Sequence, residues 1–171
     1  MENYSLFDSP IGVMGILWTE KGISGIALPE KDSEATAERL RQRGKGARPT
    51  ETVSQAIAAL VRHLSGQPQT FQELTLDWSK VPPFHRAVYE RARQVRPGMT
   101  ISYGELARDL GKPGGARAVG QAMARNPFPI VVPCHRVVAF GGRPGGFSAY
   151  GETAAKARLL ALEGVELAGV R

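Results

Sequence analysis

ISYGELARDLGKPGGARAVGQAMARNP, residues 101–127, decides the architecture of half this chain. Ser102 followed three residues later by Glu105 is a capping-box signature, so a helix is predicted from there to Leu110. Gly111-Lys112-Pro113-Gly114-Gly115 cannot continue that helix and reads as a tight turn. A second helix is expected from Ala116 to Arg125, closed by Asn126-Pro127. Helix, short glycine-containing turn, helix is the helix-turn-helix pattern, although any antiparallel helix pair gives the same reading.

The second helix is slim. Its side chains include Ala116, Ala118, Gly120, Ala122 and Ala124, with Arg117 and Arg125 as its charges. A helix that reads bases in the major groove displays several polar side chains. This one offers mainly Gln121. Small side chains suit close approach to a minor groove only ~6 Å wide. They equally suit tight packing against a neighbouring helix.

Outward from this segment, Val81-Pro82-Pro83 reads as a boundary, and a helix is predicted from Phe84 to Val95. The first 80 residues read as a scaffold. Tyr4–Phe7, Gly12–Trp18 and Gly22–Leu28 are strand-like, with Glu20-Lys21-Gly22 as a turn. Asp32 or Ser33 caps a helix running to Arg43, residues 44–49 read as a loop, and a second helix fits Thr52–Leu64. Val53, Ile57, Leu60, Val61 and Leu64 share one face of it. Phe71–Trp78 alternates apolar and polar and reads as a further strand. The predicted class is α+β. A small N-terminal α/β domain (1–80, an antiparallel sheet with helices) precedes a mostly helical domain (81–171) with the helix-turn-helix.

Composition narrows the function classes. The apolar content of 42% supports a real core. No apolar run approaches the ~20 residues that span a bilayer, and the N-terminus lacks a signal-peptide pattern. One cysteine excludes an intrachain disulfide and any two-cysteine zinc site. His63, His85 and His135 lack ligand spacing, so no metal is expected. Residues 1–80 carry net −1 and residues 81–171 net +7. That asymmetry points to a polyanionic partner.

The single cysteine lies in Val132-Pro133-Cys134-His135-Arg136-Val137-Val138. A lone cysteine is usually a small buried hydrophobe, but its histidine and arginine neighbours can tune a nucleophile. Taken with Ile101–Ala107, Ala116–Gly120, Arg125-Asn126-Pro127 and the run from Lys156 through Leu159-Leu160 to Glu163-Gly164, this segment completes a pattern. It closely resembles the O6-alkylguanine-DNA alkyltransferases, also called methylated-DNA–protein-cysteine methyltransferases. The likeness is densest from residue 82 to 165.

The resemblance implies direct repair of double-stranded DNA containing O6-alkylguanine, bound through the minor groove. The damaged base is flipped out, because its target atom is inaccessible in the stack, and its alkyl group moves to the protein. Cys134 matches the acceptor, His135 the base that deprotonates it through a water, and Glu163 the carboxylate orienting that base. Tyr103 matches the phenol serving guanine N3. Arg117 matches the residue filling the vacated stack, with Ser102, Ala118, Gly120 and Gln121 on the DNA-binding surface. Asn126 matches the link between the recognition helix and the active-site loop. Met123, Val137, Phe147 and Ser148 match pocket positions, although Phe147 stands where many members have tyrosine or another residue. The product, an S-alkylcysteine, implies one turnover per molecule. No cofactor is implied, because DNA supplies the alkyl group. A monomer in the cytoplasm, associated with the nucleoid, is expected, with cooperativity on DNA left open.

Three rivals differ in class. A lesion-sensing relative would bind alkylguanine and transfer nothing, but such relatives lack the cysteine. A transcription regulator would need more base-reading side chains. A Cys-His hydrolase would need an oxyanion hole and would turn over repeatedly.

Overall fold

Glycines bound the first sheet and set its turns. The strands β1 (Glu2–Ser9), β2 (Gly12–Thr19) and β3 (Gly22–Ala27) pair antiparallel in sequence. Gly12 and Gly22 open β2 and β3 at φ +126° and +133°, which glycine adopts readily. β2 is central, and Met14, Ile16 and Leu17 on it are completely buried. The computed structural model of the protein describes residues 1–142 and 152–166. The chain divides into two units, Met1–Lys80 and Val81–Arg171. No helix among the described residues is long and apolar enough to cross a membrane.

The first unit continues with helix α1 (Ser33–Arg41), capped by the Asp32 carboxylate, which accepts from Ala35 N at 2.8 Å. The predicted loop at residues 44–49 is corrected by the structure. Gly44–Gly46 forms β4, parallel to β1, so the sheet is mixed, in the order β3-β2-β1-β4, instead of purely antiparallel. Long-range bonds hold this short strand. The Arg43 guanidinium meets the buried Glu2 carboxylate at 2.8 Å, and Ser5 Oγ donates to Ala47 O at 2.9 Å. A Cβ on Gly44 would lie 2.3 Å from Glu2 O. Gly44→Ala is therefore expected to cost about 1–3 kcal/mol. Thermal unfolding checks this, and an unchanged midpoint would contradict the close approach.

Helix α2 (Glu51–Leu64) starts at Thr50, whose side chain caps Val53 N at 3.2 Å. Its buried face is Val53, Ala56, Ala59, Leu60, His63 and Leu64, while Ile57 and Val61 are half-buried. The small alanines therefore take positions that a count of large apolar residues assigns to the rim. The strand predicted at Phe71–Trp78 does not form. Phe71 is buried at φ 57°, which breaks extension. Strand pairing with β3 reduces to one isolated bridge, Ile23 to Leu76, where Ile23 N donates to Thr75 O at 2.9 Å and Asp77 N to Ile23 O at 2.7 Å.

In the second unit, α3 (Pro83–Ala92) begins with Pro82 and Pro83, the latter at the first turn where no donor is lost. The strand β5 (Ile101–Ser102) leads directly into α4 (Tyr103–Asp109), and α5 (Ala116–Ala124) follows the glycine turn. The capping box is complete. Glu105 N donates to Ser102 Oγ at 3.0 Å, and Ser102 N donates to the Glu105 carboxylate at 3.3 Å. A 3-10 turn, Cys134–Arg136, runs into β6 (Val137–Val138), which pairs parallel with β5. This two-residue ladder puts the start of α4 beside the cysteine turn. A second 3-10 turn spans Phe140–Gly142, and α6 (Glu152–Leu162) closes the unit.

Candidate active site

Cys134 opens the 3-10 turn at only 2% exposure. Its N–H donates to Val132 O at 2.7 Å. Burial pushes the thiol up to about 11, while a hydrogen bond from Asn126 and the nearby Lys156 ammonium pull the other way. A thiol in this setting rests protonated at neutral pH and reacts only when its proton is removed.

Asn126 follows α5 and is buried. Its Nδ2 donates to Val132 O at 2.9 Å, and its Oδ1 accepts from Phe128 N at 2.9 Å. One side chain thus ties the end of α5 to the segment entering the cysteine turn and reaches the thiol as well.

His135 and Glu163 meet at 2.8 Å, Nε2 to Oε1, both nearly inaccessible. Glu163 is placed by the end of α6. Gly164 takes φ +81° there, and Val165 N donates back to Leu160 O at 2.9 Å. A left-handed glycine closing a helix is the usual terminator. Val165 packs on the buried pair Val138 and Leu160, which anchors this helix end against β6.

Two residues with no role assigned from sequence belong to the same cluster. Lys156, on α6, is fully buried. Its ammonium donates to Val137 O at 2.6 Å and to the Tyr103 hydroxyl at 3.4 Å, and it lies 5.6 Å from the Tyr103 ring centre. Burial lowers it to about 8, with Cys134 opposing the shift. The signal was in the sequence. Lys156 shares helical spacing with Leu159 and Leu160, both buried. Arg136, 3% exposed, bonds Glu163 through Nε and Nη2, and Val95 O through Nη1.

The remaining predicted residues divide into two groups. Met123 and Val137 are buried, Met123 on the inner face of α5 and Val137 opening β6. Arg117, Ala118 and Gln121 are exposed on the other face of α5, with Gly120 half-buried beside them. A groove of about 690 Å³ runs between α4 and α5, lined by Ser102, Tyr103, Arg117, Gly120 and Gln121 among others. Tyr103 lies at this groove and also touches the buried lysine, so it links surface to interior. Phe147 and Ser148 lie outside the described residues.

Fold and site together define a helix-turn-helix protein carrying a buried, polar-networked thiol beneath a slim helix. The family model for the DNA-binding domain of 6-O-methylguanine DNA methyltransferase matches residues 83–165. The methylated-DNA–protein-cysteine methyltransferase of Mus musculus is 38% identical, over 95% of this chain and 81% of that one. The structure of the Mycobacterium tuberculosis O6-methylguanine methyltransferase superposes with a TM-score of 0.79 at 31% identity, covering 95% of this chain and 93% of that one. Mycobacterium tuberculosis OGT in complex with DNA gives 0.79 at 30% identity over the same shares. The chain belongs to the methylated-DNA–protein-cysteine methyltransferase family.

Proposed function

We propose that this protein reverses DNA alkylation directly, moving the alkyl group of an O6-alkylguanine onto Cys134 in a single irreversible turnover. The observation that carries this reading is the buried Cys134 thiol, held between Asn126 and Lys156 and followed by the His135–Glu163 pair. Relatives bearing the methyltransferase name and a DNA complex of a similar structure support it.

The chemistry balances without a cofactor. The thiol proton leaves toward His135 through a water, since neighbouring residues rarely face each other. The sulfur lone pair forms the new S–C bond while the C–O6 bond breaks. Its electrons pass into the purine, which takes a proton at N3 from the Tyr103 hydroxyl. Lys156, 3.4 Å from that oxygen, is positioned to neutralise the phenolate left behind. The product is a neutral thioether with no proton to lose, so nothing in the site drives the reverse reaction.

The DNA face is the α4–α5 groove. Alanine and glycine on α5 let its backbone approach a minor groove closely. Arg117 enters the duplex from the exposed face and fills the space the flipped base leaves, stacking on neighbours and bonding the orphaned partner. The +7 charge of residues 81–171 holds the phosphates. In solution the protein is a monomer, and it acts on nucleoid DNA in the cytoplasm.

Arg117→Ala is expected to slow repair of duplex about tenfold or more, while transfer from the free O6-alkylguanine base keeps its rate. Equal rates on duplex for both proteins would remove the stacking role. The function itself is tested on DNA, with an O6-methylguanine that blocks a restriction site. Restored cleavage after incubation with the protein is expected, and persistent resistance would contradict repair.

A further inference from the structure

We infer that Arg136 is a positioning residue that fixes the proton of His135 on Nε2, acting through Glu163. This rests on the repair reading, in which His135 is the base. The geometry is specific. Arg136 Nη2 donates to Glu163 Oε1 at 2.7 Å and Nε donates to Oε2 at 2.9 Å, so the guanidinium holds both carboxylate oxygens. Nη1 is held by Val95 O at 2.7 Å, which orients the guanidinium plane from beyond the end of α3. His135 Nε2 meets Oε1, the oxygen Nη2 already occupies, at 2.8 Å.

Burial alone favours the neutral form of a carboxyl. A neutral Glu163 could donate its own proton to Nε2, which would place the imidazole proton on Nδ1. Arginine keeps its charge under all ordinary conditions and offers donors only. Paired to both oxygens, it holds Glu163 as an acceptor-only carboxylate. His135 can then meet Oε1 only with Nε2–H, and the basic lone pair is at Nδ1. The same fork ties three separate segments together, namely the chain after α3, the cysteine turn and the end of α6. Through Arg136 the proton position on the base is set by groups that are themselves buried.

The test reads the ring directly. Nitrogen-15 spectra of histidine-labelled, DNA-free protein report the His135 tautomer, and transfer from O6-methylguanine duplex reports the consequence. The wild-type chain is expected to hold the Nε2–H form. Arg136→Met should populate the other tautomer and slow transfer about tenfold to a hundredfold, with duplex affinity unchanged. Arg136→Lys, which keeps the charge, should restore the Nε2–H form and most of the rate. An Arg136→Met protein with the wild-type tautomer and rate would overturn the inference. So would an Nδ1–H tautomer in the wild-type chain, which decides the matter even where the methionine variant fails to fold. A wild-type chain that transfers nothing would overturn the repair reading instead, and the ring signals, recorded without DNA, tell the two failures apart.

Discussion

Cys134→Ser is expected to abolish alkyl transfer, a fall of more than about a thousandfold, while leaving binding to the damaged duplex intact. The thiol is the one group in the cluster whose ionised form attacks carbon readily. Serine keeps the size and a hydroxyl donor, but its proton is far harder to remove. The surfaces assigned to DNA, the exposed face of α5 and the groove beside Tyr103, lie on other elements. Separate measurements of gel-shift affinity and transfer distinguish the two effects. Transfer by the serine variant would sink the mechanism. Loss of binding together with transfer would instead show that the turn had collapsed.

Lys156→Met should also lose transfer, by about a hundredfold or more, the scale of deleting one preorganised donor at a developing charge. The accompanying stability change has the opposite sign from that expected of an ordinary core residue. Burial lowers Lys156 from the usual 10.5 to about 8. The unfolded chain therefore holds this proton more tightly than the native state. Below pH 8 the buried charge costs ~3 kcal/mol, and that cost fades as pH rises from 8 toward 10.5. Methionine is similar in length and removes the charge, so stability at pH 7 should be unchanged or higher, set against ~1 kcal/mol for the bond to Val137 O. The thiol should ionise less readily, because the ammonium is one of the influences pulling it down. Ultraviolet thiolate absorbance against pH reads that shift. A variant that is destabilised at pH 7, or whose thiol titrates as in the wild type, would contradict the account of this lysine.

Local features of the fold were legible because their signals are local. The Ser102–Glu105 capping box needs only four consecutive residues and a following apolar pattern, and the structure contains both of its bonds. Glu20-Lys21-Gly22 marks the turn between β2 and β3 by the same logic, with Gly22 at φ +133°. Elements made by distant partners were not legible. β4 is three residues long and two of them are glycine, so nothing within it signals a strand. It exists because Glu2, Arg43 and Ser5 supply the bonds. Phe71–Trp78 misled in the opposite sense, since alternation does not reveal that Phe71 turns inward at positive φ. In the site, PCHRV identified a candidate nucleophile by neighbours in sequence. The roles of Lys156 and Arg136 depend on contacts with Tyr103, Val137, Glu163 and Val95, which sequence spacing does not place. Charged residues read as surface by default, and these two are buried only because each finds several acceptors.

Acceptance of one alkyl group by Cys134 underlies the proposed repair. Its most direct test is an intact-protein mass spectrum after incubation with excess duplex containing one O6-methylguanine, followed by peptide mapping. The expected result is the gain of a single methyl, located on Cys134, saturating at one per protein molecule. An unchanged mass despite tight binding to the same duplex would contradict it. That outcome would make the protein a reader of alkylated DNA in which Cys134 is only part of the core.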